Sequence, residues 1–137
     1  MRIASVPPDQ IEIVWREVSP MLQKAIDFDN RVTIWDVIEQ VYLNNFQMLL
    51  VVDEKIEAVC ITSIVQHPTM KVMVVNYLSG ENMADWKHLL PIFDQWAREI
   101  GCEEIEIQGR KGWLKTLPDF NLKSVIMVKK LWDHQKY

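Results

Sequence analysis

The stretch Leu89–Ile107, LLPIFDQWAREIGCEEIEI, constrains the fold more than any other part of the chain. Leu89, Leu90, Phe93, Ala97 and Ile100, with Trp86 ahead of them, recur at the spacing of one buried helical face. Pro91 has to lie in the first turns of such a helix or kink it. Gly101 follows as the residue that tolerates the left-handed turn of a helix end. Cys102–Gln108 then alternates, with Ile105 and Ile107 on one side and Glu104 and Glu106 on the other, the period of a half-buried strand. A helix that feeds a strand through one glycine belongs to a layered α and β architecture.

The rest of the chain supplies the other elements. Ile3–Val6 reads as a short strand ended by Pro7 and Pro8. Ile11, Val14, Trp15, Val18, Leu22, Ala25 and Ile26 recur at helical spacing, and Pro20 is expected to kink or split that helix. Thr33 is placed to cap a second helix, with Asp36 at the capping-box position. Its buried face is expected to be Ile34, Val37, Ile38, Val41 and Tyr42. Three strands follow in succession: Phe46–Val52, Ala58–Val65 and Lys71–Leu78. The second is apolar on both faces and suits a central position. After the helix–glycine–strand unit, Gly109–Leu117 is a short helix or turn and Ser124–Leu131 a final strand. The order β-α-α-β-β-β-α-β-α-β predicts an α+β fold, a mixed and largely antiparallel sheet with helices on both faces, in one domain over residues 1–137.

Composition bounds the function classes. The chain has 137 residues and a net charge of −4. Residues 101–137 carry seven basic and five acidic groups, which leaves −6 on the remainder. That balance argues against a general nucleic-acid binder, which needs a dominant basic face. No apolar run is long enough to cross a bilayer, and MRIASVPPDQ has no apolar core of a secretory leader. Cys60 and Cys102 sit in apolar segments and read as reduced core residues of a cytoplasmic protein. His67, His88 and His134 are scattered without metal-ligand spacing, so no metal is expected. Six tryptophans are unusual for the length. Trp86, Trp96 and Trp113 serve either packing or a binding surface. Arg110, Lys111 and Lys115 can meet an anion or stand as a solvated basic turn.

In its element order the chain resembles the GNAT N-acetyltransferase superfamily. LLPIFDQWAREIG is similar to the helix whose start holds the pyrophosphate of acetyl coenzyme A there, and EEIEI to the strand after it. WLKTLPDF and SVIMVKKL resemble the last helix, turn and strand, with Phe120 matching the phenylalanine of a usual Gly-Phe pair. A closer resemblance is to small GNAT-like proteins of phage and prophage genomes. It is carried by Gly80-Glu81-Asn82-Met83, Trp86, Leu90-Pro91, Trp96-Ala97-Arg98, Gly101-Cys102 and Gly109-Arg110-Lys111-Gly112-Trp113.

The resemblance implies a cofactor loop at Gly80, Asn82, Ala84 and Trp86, but this loop departs from the family pattern. A basic or amide residue, two residues, glycine, one residue and a small residue are expected; Glu81, Ala84 and Trp86 stand there. Bare amides and close approach need glycine, and Trp86 is expected to block part of the groove. The usual general-acid tyrosine is replaced by Lys115, and the glycine of the Gly-Phe pair by Asp119. Glu81 as a base and Tyr77 as a phenol are the remaining catalytic candidates. The first reading of Glu81 is a carboxylate favourable to a helix start, and of Tyr77 a strand residue with its hydroxyl at the rim. Two functions stay open. One is a non-catalytic GNAT-like phage protein, without cofactor, that binds phage structural proteins or a second copy, in the virion or host cytoplasm. Arg110, Lys111, Trp113 and Lys115 would then offer its surface. The other is an active acetyl-CoA-dependent N-acyltransferase with an atypical loop.

Overall fold

The chain is seen in a computed structural model that describes residues 1–29, 31–81, 85, 87–108 and 113–132. It runs β1 (Arg2–Val6), a 3₁₀ turn (Pro8–Gln10), α1 (Ile11–Ile26), α2 (Ile34–Tyr42), β2 (Gln47–Val52), β3 (Ile56–Gln66) and β4 (Lys71–Gly80). A second 3₁₀ turn (Lys87–Leu89), α3 (Leu90–Ile100), β5 (Glu104–Ile107) and one helical turn, α4 (Trp113–Thr116), follow. The strands form one sheet in sequence order, antiparallel from β1 to β4, with β5 parallel to β4. This is the expected α+β class. No helix among the described residues is long and apolar enough to cross a membrane.

The two apolar layers follow from strand alternation. On one face Met48, Leu50, Val59 and Ile61 pack under Ile11, Val18, Leu22 and Ile26 of α1 and Ile34, Val37, Ile38 and Val41 of α2. On the other, Leu49, Cys60 and Val75 pack under Phe93 and Trp96, and Met73 under Ala97. Each fully buried aliphatic side chain contributes about 1.5–3 kcal/mol relative to exposure. Both cysteines are buried free thiols, and desolvation pushes Cys60 up to about 12.

Local chemistry sets the helix ends. The Thr33 hydroxyl accepts from Asp36 N–H at 3.3 Å, and Thr33 N–H donates to the Asp36 carboxylate at 2.8 Å, a reciprocal capping box. The backbone bond from Thr33, followed by its side-chain bond, holds the Asp36 carboxyl below its ordinary range. Thr33→Ala is expected to cost about 1 kcal/mol, read as a lower thermal midpoint. The Asp36 contribution is present above the ordinary carboxylate range and is lost as pH falls through its depressed pKa. Gly101 closes α3 at φ +93°, donating its N–H to the Ala97 and Arg98 carbonyls.

Three expectations are corrected. α1 is not split at Pro20: one helix runs unbroken from Ile11 to Ile26. Arg16 and Pro20 share the exposed face, so the Arg16 carbonyl that loses its helical partner can be solvated. Tyr42, assigned to the buried face, is the last residue of α2 and is 46% exposed. Ser124–Leu131 is not a strand: residues 121–130 have no regular structure and are exposed throughout. Strand propensity measures fit to a half-buried pleated surface, and residues 121–130 are exposed rather than half-buried.

Candidate functional site at the strand fork

β4 and β5 run parallel only from Val72↔Glu104 to Val75↔Ile107. β4 then continues from Asn76 to Gly80 with β3 as its described ladder partner, so the described sheet forks between β4 and its last strand, β5. The helix that joins the two strands starts beyond the end of β4. Open sheets commonly bind ligands in a crevice outside the carboxyl ends of parallel strands.

A bulge shapes this fork. The β3–β4 register passes from Ile61↔Tyr77 to Thr62↔Val75, leaving Asn76 as the extra residue. Its side-chain amide donates to Ser63 Oγ at 2.9 Å. A bulge inverts the alternation beyond it. Val75 therefore packs with the α3 layer, whereas Tyr77, two residues on, packs with the α1 and α2 layer. Leu78 returns to the α3 side, beside Leu89 and Leu90. The fork thus opens onto both layers.

On the α1 side the Tyr77 hydroxyl donates to Asp29 Oδ2 at 3.0 Å. Asp29 follows the end of α1, and its other carboxylate oxygen accepts the Arg31 N–H at 3.2 Å. Desolvation, then the hydrogen bond and charge of Asp29, push the phenol well above its ordinary range. Tyr77 is therefore a neutral donor at physiological pH, next to a carboxylate in a loop. Asp29 carries no sequence pattern that marks it, since its partner lies 48 residues away.

Gly80 ends β4 opposite Ala58. A Cβ there would overlap Ala58 Cβ and lie 2.6 Å from the Glu57 carbonyl oxygen. Its smallness is thus required by packing on β3. Glu81 is exposed, and its N–H donates to the same Glu57 carbonyl at 3.1 Å. Lys115 is exposed in α4. Asn82, Ala84, Trp86, Arg110 and Lys111 lie outside the described residues, and so does the side chain of Trp113. The expected block of the groove by Trp86, and the choice between packing and a binding surface for Trp113, therefore fall outside them too.

The fork meets acetyl coenzyme A on mixed terms. The edge of Asn76–Ser79 away from β3, which has no ladder partner among the described residues, offers main-chain donors and acceptors to an amide-bearing arm, as an added strand would use them. The start of α3 suits a pyrophosphate less well. Pro91 stands in its first turn and lacks an N–H, and Glu81 and Asp85 bring negative charge to the approach.

A second concavity of about 500 Å³ lies between the outer faces of α1 and α2. Trp15, Trp35 and Tyr42 line it with Glu12 and Glu39, and the two indoles stand 5.8 Å apart. Trp35 falls outside the Ile34, Val37, Ile38, Val41 stripe, so helical phase alone signals its exposure.

No protein-family model matches the chain, and no curated protein sequence does. Solved acetyltransferases share its fold. A probable acetyltransferase aligns with TM-score 0.65 at 13% identity, over 94% of this chain and 100% of that one. An aminoglycoside acetyltransferase from an uncultured soil metagenomic sample, in complex with sisomicin, aligns at 0.67 and 15%, over 96% of each chain. The ribosomal-protein-alanine N-acetyltransferase of Brucella melitensis biovar Abortus 2308 aligns at 0.68 and 11%, over 95% and 100%. The chain has the GNAT acetyltransferase fold.

Proposed function

We propose that the chain is an N-acyltransferase that takes an acyl coenzyme A in the β4–β5 fork and an amine acceptor on the α1 side. The observation that carries this reading is the parting of β4 from β5 after Val75, on a fold shared with solved acetyltransferases. The Asn76–Ser79 edge would hold the amide arm of the cofactor, which supplies an activated thioester when bound. Asp29 would draw a cationic amine by charge. Tyr77, neutral and half-buried, would give its phenolic proton to the leaving thiolate and take in exchange the proton that the attacking amine loses.

A second reading has its own support. The Tyr77 proton is already committed to Asp29, and the approach to α3 is acidic. Both fit a non-catalytic binding protein on the acetyltransferase fold, such as an accessory to phage structural proteins. The phage assignment rests on the sequence block from Gly80 to Trp113 alone. Calorimetric titration with acetyl coenzyme A separates the two. The first reading expects a Kd of about 1–100 µM, tightened severalfold by Glu81→Arg, which replaces repulsion with attraction. Heats indistinguishable from dilution in both proteins would leave the binding reading.

A further inference from the structure

We propose that the concavity between the outer faces of α1 and α2 is a binding site for a small organic cation, one whose nitrogen carries alkyl groups in place of N–H donors.

Two helical stripes build it. On α2, Trp35, Glu39 and Tyr42 stand at i, i+4 and i+7, so they share one face. On α1, Glu12 and Trp15 stand at i and i+3, in the first turns of the helix. Packing of the two helices brings the stripes together, with the Trp15 and Trp35 rings 5.8 Å apart and tilted by 36°. Buried Ile11 and Ile38 join the lining. The volume, about 500 Å³, falls within the usual range of small-molecule pockets, about 300–1,000 Å³.

The lining selects positive charge. Indole presents a negative face and holds a cation better than the other aromatic rings do. Single exposed apolar side chains are ordinary. Here Trp35 and Tyr42, 67% and 46% exposed, join Trp15 over one concavity beside two carboxylates. No Lys or Arg lines it, and no ion pair among the described residues holds Glu12 or Glu39. Arg16, one turn beyond Glu12 on α1, is not part of the lining. Both carboxylates are exposed, so salt screens their attraction, and the rings supply the short-range part.

The same lining decides which cation fits. Its side-chain acceptors are the two carboxylates and the Tyr42 hydroxyl. A primary ammonium or a guanidinium brings several N–H donors, and those facing Ile11, Ile38 and Leu43 would lose water without gaining a partner. Alkyl groups on the nitrogen meet that wall at no such cost. The site is also separate from the fork. Asp29 follows the last turn of α1, whereas Glu12 and Trp15 stand in its first turns, roughly 15–20 Å away along the axis. The proposal therefore does not rest on the acyltransferase reading.

Calorimetric titration of the full chain with choline, at fixed ionic strength, is the test. The expected Kd is about 0.1–1 mM. The neutral tert-butyl isostere of choline keeps the shape without the charge, and ethanolamine keeps the charge without the methyl groups. Each is expected to bind about tenfold more weakly or worse. Trp35→Ala is expected to raise the choline Kd about tenfold or more, with circular dichroism unchanged because the side chain is exposed. Trp35→Phe, which keeps a ring, should fall between the two. Glu12→Gln with Glu39→Gln should raise Kd severalfold and flatten its salt dependence, whereas Asp29→Asn should leave it unchanged. No heat beyond dilution up to about 10 mM choline, equal binding of the isostere or of ethanolamine, or a Kd indifferent to both Trp35 variants would each overturn the proposal. Weakening by Asp29→Asn would put the cation at the fork and overturn it as well.

Discussion

Gly80→Ala is expected to destabilise the chain, and Gly80→Val to do so severely, although exchanging glycine for a larger residue inside a strand ordinarily helps. Glycine in a strand interior typically costs roughly 0.5–1 kcal/mol relative to alanine, because it gives up more backbone freedom on folding. Here the sign reverses. The new Cβ would meet Ala58 Cβ, stand 2.6 Å from the Glu57 carbonyl oxygen and 2.7 Å from Ala58 Cα. Two of these three are backbone atoms, which cannot turn aside as the end of a flexible side chain does. Ala58 is itself 1% exposed and sealed under Val51 and Leu89. Relief must therefore come from opening the Ala58↔Gly80 end of the ladder, with loss of the Glu81 N–H to Glu57 bond. Overpacking of this kind usually costs about 1–3 kcal/mol. Urea midpoints of the two variants measure it. A Gly80→Ala midpoint at or above the parent's would show that the strands do not approach so closely.

The case of Gly80 shows what the sequence could and could not reveal. A glycine before a helix-linked loop invites a cofactor role, and only the neighbouring strand shows why it must be small. Elements governed by local chemistry were legible. The capping box at Thr33 and Asp36, the α3 stripe and the Gly101 stop all lie within a few residues of the groups they bond. The three central strands were legible as elements, but not their phase. Lys71–Leu78 is apolar on both faces, so nothing in it marks Asn76 as the bulge. Uninterrupted alternation would seat Tyr77 beside Val75 on the α3 side; the bulge puts it opposite, against Asp29. The last strand failed for the complementary reason. SVIMVKKL has the composition of a strand, but composition alone does not place it in a ladder, and residues 121–130 have no regular structure.

Tyr77→Phe is expected to lower kcat for acyl transfer by about 10²–10⁴-fold, the usual worth of a positioned acid or base, while leaving the affinity for acetyl coenzyme A unchanged. The split follows from the fork: the amide arm would be held by main chain at Asn76–Ser79, whereas Tyr77 acts only on the α1 side. The same residue predicts a pH dependence of stability that is independent of catalysis. The folded-state pKa of the phenol is raised, by desolvation first and by Asp29 second. Its contribution is therefore fully present below the ordinary phenol value of 10.0 and is lost as pH rises from there toward the raised folded-state value. The parent's denaturant midpoint should fall across that range, and the Tyr77→Phe midpoint should fall less. Asp29→Ala gives a third point. It leaves a half-buried hydroxyl without its acceptor, for a loss of roughly 1–3 kcal/mol, and it should raise KM for a cationic amine as the attracting charge goes. These readouts are separable. A Tyr77→Phe protein with the altered pH profile of stability but parental kcat would keep the Tyr77–Asp29 contact and remove the phenol from the chemistry. A structural contact of that kind, on an acetyltransferase fold with an acidic approach to α3, is what the binding-protein reading requires.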